Sequence, residues 1–284
     1  STALEIDGEF PPLLGGEEST PIQLKATPNS AQFSSLGGLI GMEASALSER
    51  AVYYPTLGSI SRTGCLLDTG TPPWFDPSYT IQFAVHDDFA NQMLFSVWWG
   101  GGFQFPVDNT EEATAQLSRI GITDLNINVD IIHPPTLTSC NDENAIRMQM
   151  GDMKIRITLE IAEAEYVNLD VYTSLEADLE YRVLQAETGP VISLNFLEMR
   201  RLETEVVLDD PSLAKHLKTL RDFIENFFID SLIESVATGD IVGYPLPAID
   251  LSVVEGVPPG YELEIGVDNV FHTGSYTLIQ GHPE

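Results

Sequence analysis

The stretch His86–Phe105, HDDFANQMLFSVWWGGGFQF, holds two tryptophans and three consecutive glycines. Asp87 or Asp88 can cap a helix here, because a side-chain oxygen accepts a hydrogen bond from a free backbone N–H. Two apolar rows with i, i+4 spacing follow: Phe89, Met93 and Val97, and Ala90, Leu94 and Trp98. The glycines Gly100–Gly102 end the pattern. The stretch therefore predicts a helix of about three turns, and its apolar face is either a core face, a membrane wedge or part of a ligand pocket.

Beyond this helix, apolar residues alternate with polar ones, which is typical of strands with one face on a core and one in water. The alternating apolar positions are Leu125, Ile127, Val129, Ile131, Met153, Ile155, Ile157, Leu159, Ile161, Val167, Leu169, Val171, Leu175, Ala177, Leu179, Tyr181 and Val183. Between Met150 and Met153 the parity changes, which predicts a bulge near Gly151-Asp152. Shorter strand-like pieces lie at Ile22–Ala26 and Gly38–Ala44.

A second, longer helix is predicted from Pro211 onwards, with Asp210 as its N-cap and Gly239 as its C-cap. Its apolar residues follow helical spacing: Leu213, Leu217, Leu220, Ile224, Phe227, Phe228, Leu232 and Val236. A sheet with one apolar face needs a cover, and two helices can supply it. The predicted class is therefore α+β, with a twisted antiparallel sheet rolled round the long helix.

The charge balance of the chain limits the classes of partner that it can bind. Among 284 residues, 43 acids stand against 13 bases, so the net charge is −30. Phosphates would be repelled, which excludes nucleic acid as a partner and disfavours anionic lipid surfaces. The acidity indicates solubility or a saline setting, or else a cationic or neutral partner or bound divalent ions. No apolar run is long enough for a transmembrane helix. The start, STALEIDGEF, is not a signal peptide and is typical of a trimmed mature protein.

No catalytic or metal-binding motif is found, and the five histidines are scattered, so neither an enzyme nor a metal site is predicted. The acidic loops at 107–112 and 140–144 lack the ligand spacing that is diagnostic of calcium. Cys65 and Cys140 can form a disulfide in an oxidising compartment or remain separate thiols. The absence of any N-x-Ser/Thr signal favours a bacterial source.

Several segments, taken in order, resemble one known family. They are YTIQFAVHDDFANQMLFSVWWGGGFQF (79–105), HPPTLTSC (133–140), IRMQMGDMKIRITLEI (146–161), FIENFFIDSLIESVATGDIVGYPLP (223–247) and LEIGVDNVFHTGSYTLI (263–279). Together they resemble the second domain of the bactericidal/permeability-increasing and lipopolysaccharide-binding protein family. Asp87 stands near the Ser of the family's S-x-x-x-N, Asn91 matches the Asn, and Gly100 or Gly101 matches the following Gly. The chain departs from the family in its acidity and in residues 20–78, which have no clear counterpart.

The resemblance implies the TULIP fold, a super-roll in which a twisted antiparallel sheet wraps a long helix and a shorter one. That fold leaves a tubular apolar cavity for acyl chains. The implied organisation is an N-terminal linker or strand over residues 1–20, a β-rich insertion or extension with a Pro-rich loop over 21–78, and a TULIP domain over 79–284.

The candidate lipid-binding residues are the apolar ones of both helices and the methionines of one strand. They are Phe89, Met93, Leu94, Val97, Trp98, Met148, Met150, Met153, Leu220, Ile224, Phe227, Phe228 and Leu232. Apolar stripes usually fill a core, whereas methionines adapt well to varied acyl chains. The basic residues Lys215, Lys218 and Arg221 are either paired with nearby acids on the helix surface or contact a lipid headgroup.

Two functions follow from these observations. The first is a non-catalytic, lipid-binding protein of a bacterial cell envelope, secreted, periplasmic or on the cell surface, with a bound phospholipid or fatty acid in place of a cofactor. It would contact the membrane peripherally and act with a preceding TULIP domain or a protein partner. The second is a scaffold or adhesion protein with a filled core and an interacting acidic surface. We expect Trp98 to point inward, and Trp99 to lie at a tunnel mouth or an exposed contact.

Overall fold

A computed structural model describes most of the two ends and the central sheet of the chain. The described residues are 4–10, 19–35, 37–49, 73–106, 118, 122–139, 146–161, 165–186, 189–208, 218, 241–245, 249–250, 262–263 and 265–283. Among these residues, no helix combines the length and the apolar character needed to cross a membrane.

One helix and fifteen strands make up the described fold. The elements in chain order are β1 Leu4–Phe10, β2 Thr20–Ser34, β3 Gly37–Leu47, β4 Ile81–His86, α1 Asp87–Trp99, β5 Gln104–Pro106, β6 Ile122–Ile131, β7 Thr136–Ser139, β8 Ile146–Ile161, β9 Glu165–Ala186, β10 Gly189–Leu208, β11 Ile241–Pro245, β12 Ile249–Asp250, β13 Glu262–Leu263, β14 Ile265–Thr273 and β15 Tyr276–Pro283. All the strand pairs described are antiparallel. The described fold is thus mostly antiparallel sheet with one short helix, compatible with the α+β class.

The largest sheet has seven strands in the order β11-β10-β9-β8-β6-β5, with β7 paired to β8 beside β6. The predicted alternation is confirmed in β6, β8 and β9, whose apolar residues from Leu125 to Leu179 are buried on one face. The predicted bulge is also confirmed. The register between β8 and β9 shifts between Met150 and Met153, and Asp152 has a φ of 49°.

Strand β10 was not predicted, although it is 20 residues long. Its register against β9 shifts twice, between Phe196 and Glu198 and between Met199 and Arg201. Each extra residue moves the following side chains to the other face of the sheet. The alternation therefore breaks within a few residues, and no sustained period of two marks the strand in the sequence.

Helix α1 ends as predicted but begins differently. The N-cap is His86, whose Nδ1 accepts a hydrogen bond from the Asp88 backbone N–H at 3.1 Å. The prediction that Asp87 or Asp88 is the cap was therefore wrong. Asp87 is buried in the first helical turn, and its carboxylate contacts His272 instead. At the other end, Gly100 is the C-cap, and its N–H donates to the Ser96 carbonyl at 2.9 Å.

Buried polar side chains attach α1 to three further strands. Asn91 bonds to both backbone groups of Leu137 in β7, donating to its carbonyl at 2.8 Å and accepting from its N–H at 2.6 Å. Ser96 Oγ donates to the Ala46 carbonyl of β3 at 2.9 Å, and Trp98 Nε1 donates to the Ile131 carbonyl of β6 at 2.6 Å. Trp98 is fully buried, as expected, whereas Trp99 is half-buried and stacks on Phe95.

The glycines after the helix are explained by close packing and by one unusual backbone angle. A Cβ on Gly100 would lie 2.5 Å from Thr20 Cγ2 and 2.6 Å from Ser48 Oγ, so the ends of β2 and β3 occupy that space. Gly101 has a φ of 86°, which residues with a side chain rarely adopt. The three glycines thus let the chain turn sharply from α1 into β5 beneath the N-terminal strands.

Two smaller sheets flank α1. Strands β1, β2 and β3 form one sheet, and the predicted pieces Ile22–Ala26 and Gly38–Ala44 lie within β2 and β3. Strands β14, β15 and β4 form the other, in which β14 and the first half of β15 come from the segment 263–279 and β4 comes from the segment 79–105. Residues 73–80, the described part of the Pro-rich loop, contain no helix or strand.

Several predictions fall outside the described residues. They include Cys65 and Cys140, and the long helix of residues 211–237 apart from Lys218. The acidic loops at 107–112 and 140–144 also lie outside them.

The outer face of the large sheet carries cross-strand ion pairs. Asp170 of β9 accepts from Arg156 at 2.8 Å and from Lys154 at 2.9 Å, both on β8. Hydrogen bonding to Arg156, aided by Lys154, outweighs burial and lowers the pKa of Asp170 to about 2. Burial would raise the pKa of Asp178, but hydrogen bonds from Arg147 and Arg200 outweigh it and lower that pKa too. These pairs bridge β8, β9 and β10.

Replacing Asn91 tests how strongly α1 is docked. In Asn91→Ala, the N–H and the carbonyl of Leu137 lose their partner in a buried place, which should lower the free energy of unfolding by about 2–4 kcal/mol. Gln92→Ala changes the neighbouring exposed residue and serves as the control, with an expected effect below about 0.5 kcal/mol. Urea unfolding followed by circular dichroism measures both. Equal effects in the two variants would contradict the docking role of Asn91.

The pH dependence of stability tests the ion pairs. Because the folded pKa of Asp170 lies below its ordinary value of 3.8, the stabilisation is complete above about pH 5 and is lost as the pH falls towards 2. A shift of this size corresponds to about 2 kcal/mol. Urea unfolding at pH 5 and pH 2 should therefore show a loss about 2 kcal/mol smaller in Asp170→Asn than in the wild type. Parallel pH curves for the two proteins would disprove this assignment.

Candidate apolar site

The inner face of the large sheet and one face of α1 form a continuous apolar cluster. Its most buried members are 0–1% exposed and are Val97, Trp98, Ile146, Met153, Ile155, Ile157, Leu159, Leu169, Val171, Ala177 and Leu179. β-Branched and leucine side chains that alternate with charged ones put one apolar surface on three neighbouring strands. The described lipid-binding candidates all lie in this surface or pack against it.

The described candidate residues divide into two groups. Val97, Trp98 and Met153 are fully buried, and Met148 and Met150 are 7% and 8% exposed. Phe89, Met93 and Leu94, in contrast, are half-buried and pack against the edge of the cluster. The structure thus brings all the described candidates into one cluster, but only the half-buried ones and the two methionines near its edge retain exposed surface.

The remaining candidates come from the second predicted helix. Leu220, Ile224, Phe227, Phe228 and Leu232 lie outside the described residues, and so do Lys215 and Arg221. Lys218 is helical and exposed. Their roles in binding an acyl chain or a headgroup stay predictions.

Several further side chains pack against the cluster but were not among the lipid-binding candidates, although Trp99 was expected at a tunnel mouth or exposed contact and Tyr181 on an apolar strand face. They are half-buried like Phe89 and Met93, and they are Trp99, Tyr181, Leu194, Phe196, Met199, Val206 and Leu208. Five of them lie on β10. The apolar content of residues 191–208 was the available signal, but the two bulges hide its alternation.

A group of buried polar residues connects α1, the sheet of β14, β15 and β4, and strand β9. His272 Nε2 lies 3.0 Å from Asp87 Oδ1, and the two side chains are 3% and 5% exposed. The Asp87 backbone N–H also donates to the Ser275 carbonyl at 2.9 Å. Burial raises the pKa of Tyr181 to about 12, despite its hydrogen bond with Thr277, so this phenol stays neutral.

This polar group has a structural role. An aspartate, a histidine and a serine are close together here, but Asp87, His272 and Ser275 are all buried, at 4%, 3% and 2% exposure. A substrate would have to reach the histidine and the nucleophile at the same time. The burial instead suits a contact that holds β14 and β15 against α1.

The basic residues of the described chain are largely engaged with carboxylates. Eight of the chain's thirteen basic residues are described, and seven of these eight form ion pairs: Lys25, Arg147, Lys154, Arg156, Arg182, Arg200 and Arg201. Within the same part of the chain, no cluster of three or more histidine, cysteine or acidic residues could hold a metal ion. Most positive charges among the described residues are therefore balanced by a neighbouring carboxylate.

Comparisons with known proteins give a distant structural likeness. No family model matches the chain, and no curated protein matches it. The crystal structure of a lipopolysaccharide binding protein is similar to it over 93% of this chain and 74% of that chain, with 9% sequence identity and a TM-score of 0.29. At this TM-score the likeness carries no conclusion about ligand or activity. The chain is distantly similar to a lipopolysaccharide binding protein, and membership of that family stays a prediction.

Proposed function

We propose that the protein is a non-catalytic lipid-binding protein that takes the acyl chains of a phospholipid or fatty acid against the edge of its apolar cluster. The observation that carries the proposal is that Phe89, Met93 and Leu94 of α1 are half-buried beside the fully buried Val97 and Trp98. Large apolar side chains on a helix gain by being covered. Here they leave apolar surface that is continuous with the core.

The chemistry of this edge suits an acyl chain better than a polar ligand. Apolar ligand sites are lined mostly by aromatic and aliphatic side chains with few polar groups. Met93, Met148, Met150 and Met199 add flexible thioethers, which adapt to chains of varied shape. The ordered resemblance of residues 79–280 to a lipid-binding family supports the same ligand class.

The setting that we propose is a bacterial cell envelope, with the protein secreted, periplasmic or at the cell surface. The lack of N-x-Ser/Thr signals supports a bacterial source. The net charge of −30 and the paired basic residues favour ligands with a neutral or zwitterionic headgroup over anionic ones. Binding of lipopolysaccharide through a cationic surface is not part of this proposal.

A scaffold or adhesion protein with a filled core is the second candidate function. The observation in its favour is that Trp98 donates a hydrogen bond to the Ile131 carbonyl and is 0% exposed, so this candidate residue is a core anchor. Such a protein would use its acidic surface to bind partners, and no acyl chain would be needed.

Filling the edge of the cluster distinguishes the two functions. In Met93→Trp, the larger side chain should occupy the space of an acyl chain and reduce lipid uptake at least roughly tenfold, because a binding site that loses its volume loses its contacts. Gln92→Trp, on the exposed side of α1, is the matched control and should bind as the wild type does. Uptake of a fluorescent fatty acid and mass spectrometry of organic extracts measure the effect.

The wild-type result decides between the proposals. Co-purified lipid that is displaced by the fluorescent probe, and reduced in Met93→Trp alone, would support the lipid-binding function. A protein that yields no lipid on extraction and takes up no probe is the filled-core scaffold. Circular dichroism of both variants checks that the fold is retained.

A further inference from the structure

The far end of the β2–β3 hairpin projects from the rest of the structure. The described pairing of β1 with β2 runs from Phe10 opposite Thr20 to Leu4 opposite Ala26, and β2 and β3 are paired as far as Ser34 opposite Gly37. We call residues 28–42 the distal ribbon. All of its described residues are exposed except Gly41, which is half-buried.

Large apolar side chains of the distal ribbon gather on one face. Phe33 pairs with Gly38, and Ala31 pairs with Ile40, so the register places Phe33 and Ile40 on the same side. Met42 follows Ile40 by two residues and shares that side. Phe33, Ile40 and Met42 are 79%, 56% and 46% exposed. The ring of Phe33 lies against Gly38, where a Cβ would come within 2.8 Å of it.

The opposite face of the distal ribbon is different. Among the described residues it carries Ser30, Gln32 and Ser34, with Leu39 as its one large apolar side chain. The ribbon is therefore amphipathic, although neither face is covered by another described element. An exposed apolar face of this kind usually marks an interaction site.

The charge pattern indicates what covers the apolar face. The 17 residues between Lys25 and Glu43 contain no charged side chain, in a chain with a net charge of −30. A second copy of the chain would bring the same negative charge, and a cationic partner would find no carboxylate here to bind. A partner surface of low net charge, in contrast, can approach the uncharged ribbon without electrostatic repulsion.

We propose that the distal ribbon binds the interface of a lipid bilayer of low net charge, with Phe33, Ile40 and Met42 facing the acyl chains. No described strand pairs with the outer edges of the ribbon, so their backbone groups need water or headgroups as partners. The ribbon therefore lies flat in the interface, about 5–10 Å deep, instead of entering end-on. Lys25 and Glu43 remain on the water side.

This surface is independent of the acyl-chain site proposed above. The distal ribbon and the helix row at Met93 involve different residues, so either proposal can fail alone. Membrane binding by the ribbon requires no lipid in the cluster, and lipid in the cluster requires no ribbon.

Vesicle flotation of the full chain tests the proposal. With phosphatidylcholine vesicles, the wild type should float, and Phe33→Asp and Ile40→Asp should each reduce the bound fraction roughly tenfold, since a charge would be placed in the acyl region. Gln32→Asp adds the same charge on the opposite face and is the matched control, with nearly wild-type binding. Vesicles that also contain phosphatidylglycerol should bind less of the wild type.

Three outcomes would overturn the proposal. The first is that the wild type does not float, and the second is that Gln32→Asp reduces flotation as much as Phe33→Asp. The third is concentration-dependent self-association of the wild type that Phe33→Asp abolishes without any flotation, which would make the face a contact between copies. Thermal unfolding should be unchanged in all three variants, since these side chains are exposed. Lipid extraction from Phe33→Asp should match the wild type, which separates this test from that of the acyl-chain site.

Discussion

The docking of α1 through buried polar side chains organises the rest of the structure. This helix of thirteen residues directs Asp87 towards β14, Asn91 towards β7, Ser96 towards β3 and Trp98 towards β6. A buried polar group without a partner is costly, so each of these contacts requires its partner strand to be in one position. The helix therefore sets the relative placement of strands that are far apart in the chain, while the apolar cluster supplies most of the favourable burial energy.

The large sheet holds two carboxylates with little exposure to water. Asp170 and Asp178 lie on its outer face, yet they are only 6% and 4% exposed because arginine and lysine side chains cover them. Ionised carboxylates in such places need close cationic partners. Since most basic residues of the described chain are used in this way, few are left to attract an anionic ligand. This pairing supports the proposed preference for neutral or zwitterionic ligands over anionic ones.

Among the described residues, the two apolar surfaces proposed as binding sites differ in kind. The edge of the cluster at Phe89, Met93 and Leu94 is half-buried and continuous with the core, which suits a bound chain. The distal ribbon is exposed, free of charge and far along its hairpin from the core residues Ile22 and Ala46, which suits an extended surface. If both proposals hold, the protein would contact a membrane with one surface and hold an acyl chain with the other.

The sequence by itself determined the local elements wherever the hydrophobic period was unbroken. The helix at residues 87–99, the strands from Ile122 to Ala186 and the bulge at Asp152 all follow from spacing, because a period of 3.6 or 2 reflects which side chains share a face. Where two bulges interrupt the period, as in β10, the pattern is lost and the strand was missed. For the candidate site, spacing identified Phe89, Met93 and Leu94 but could not separate them from the buried Val97 and Trp98.

Only the tertiary structure decided what depends on residues distant in the chain. His86 caps α1, and the carboxylate of Asp87 contacts His272, 185 residues later, which no local rule could indicate. The depth of each apolar residue and the partners of Asn91 were settled in the same way. The 79% exposure of Phe33 is likewise visible only in the tertiary structure. Local spacing governs which residues share a face, whereas long-range packing governs what that face meets.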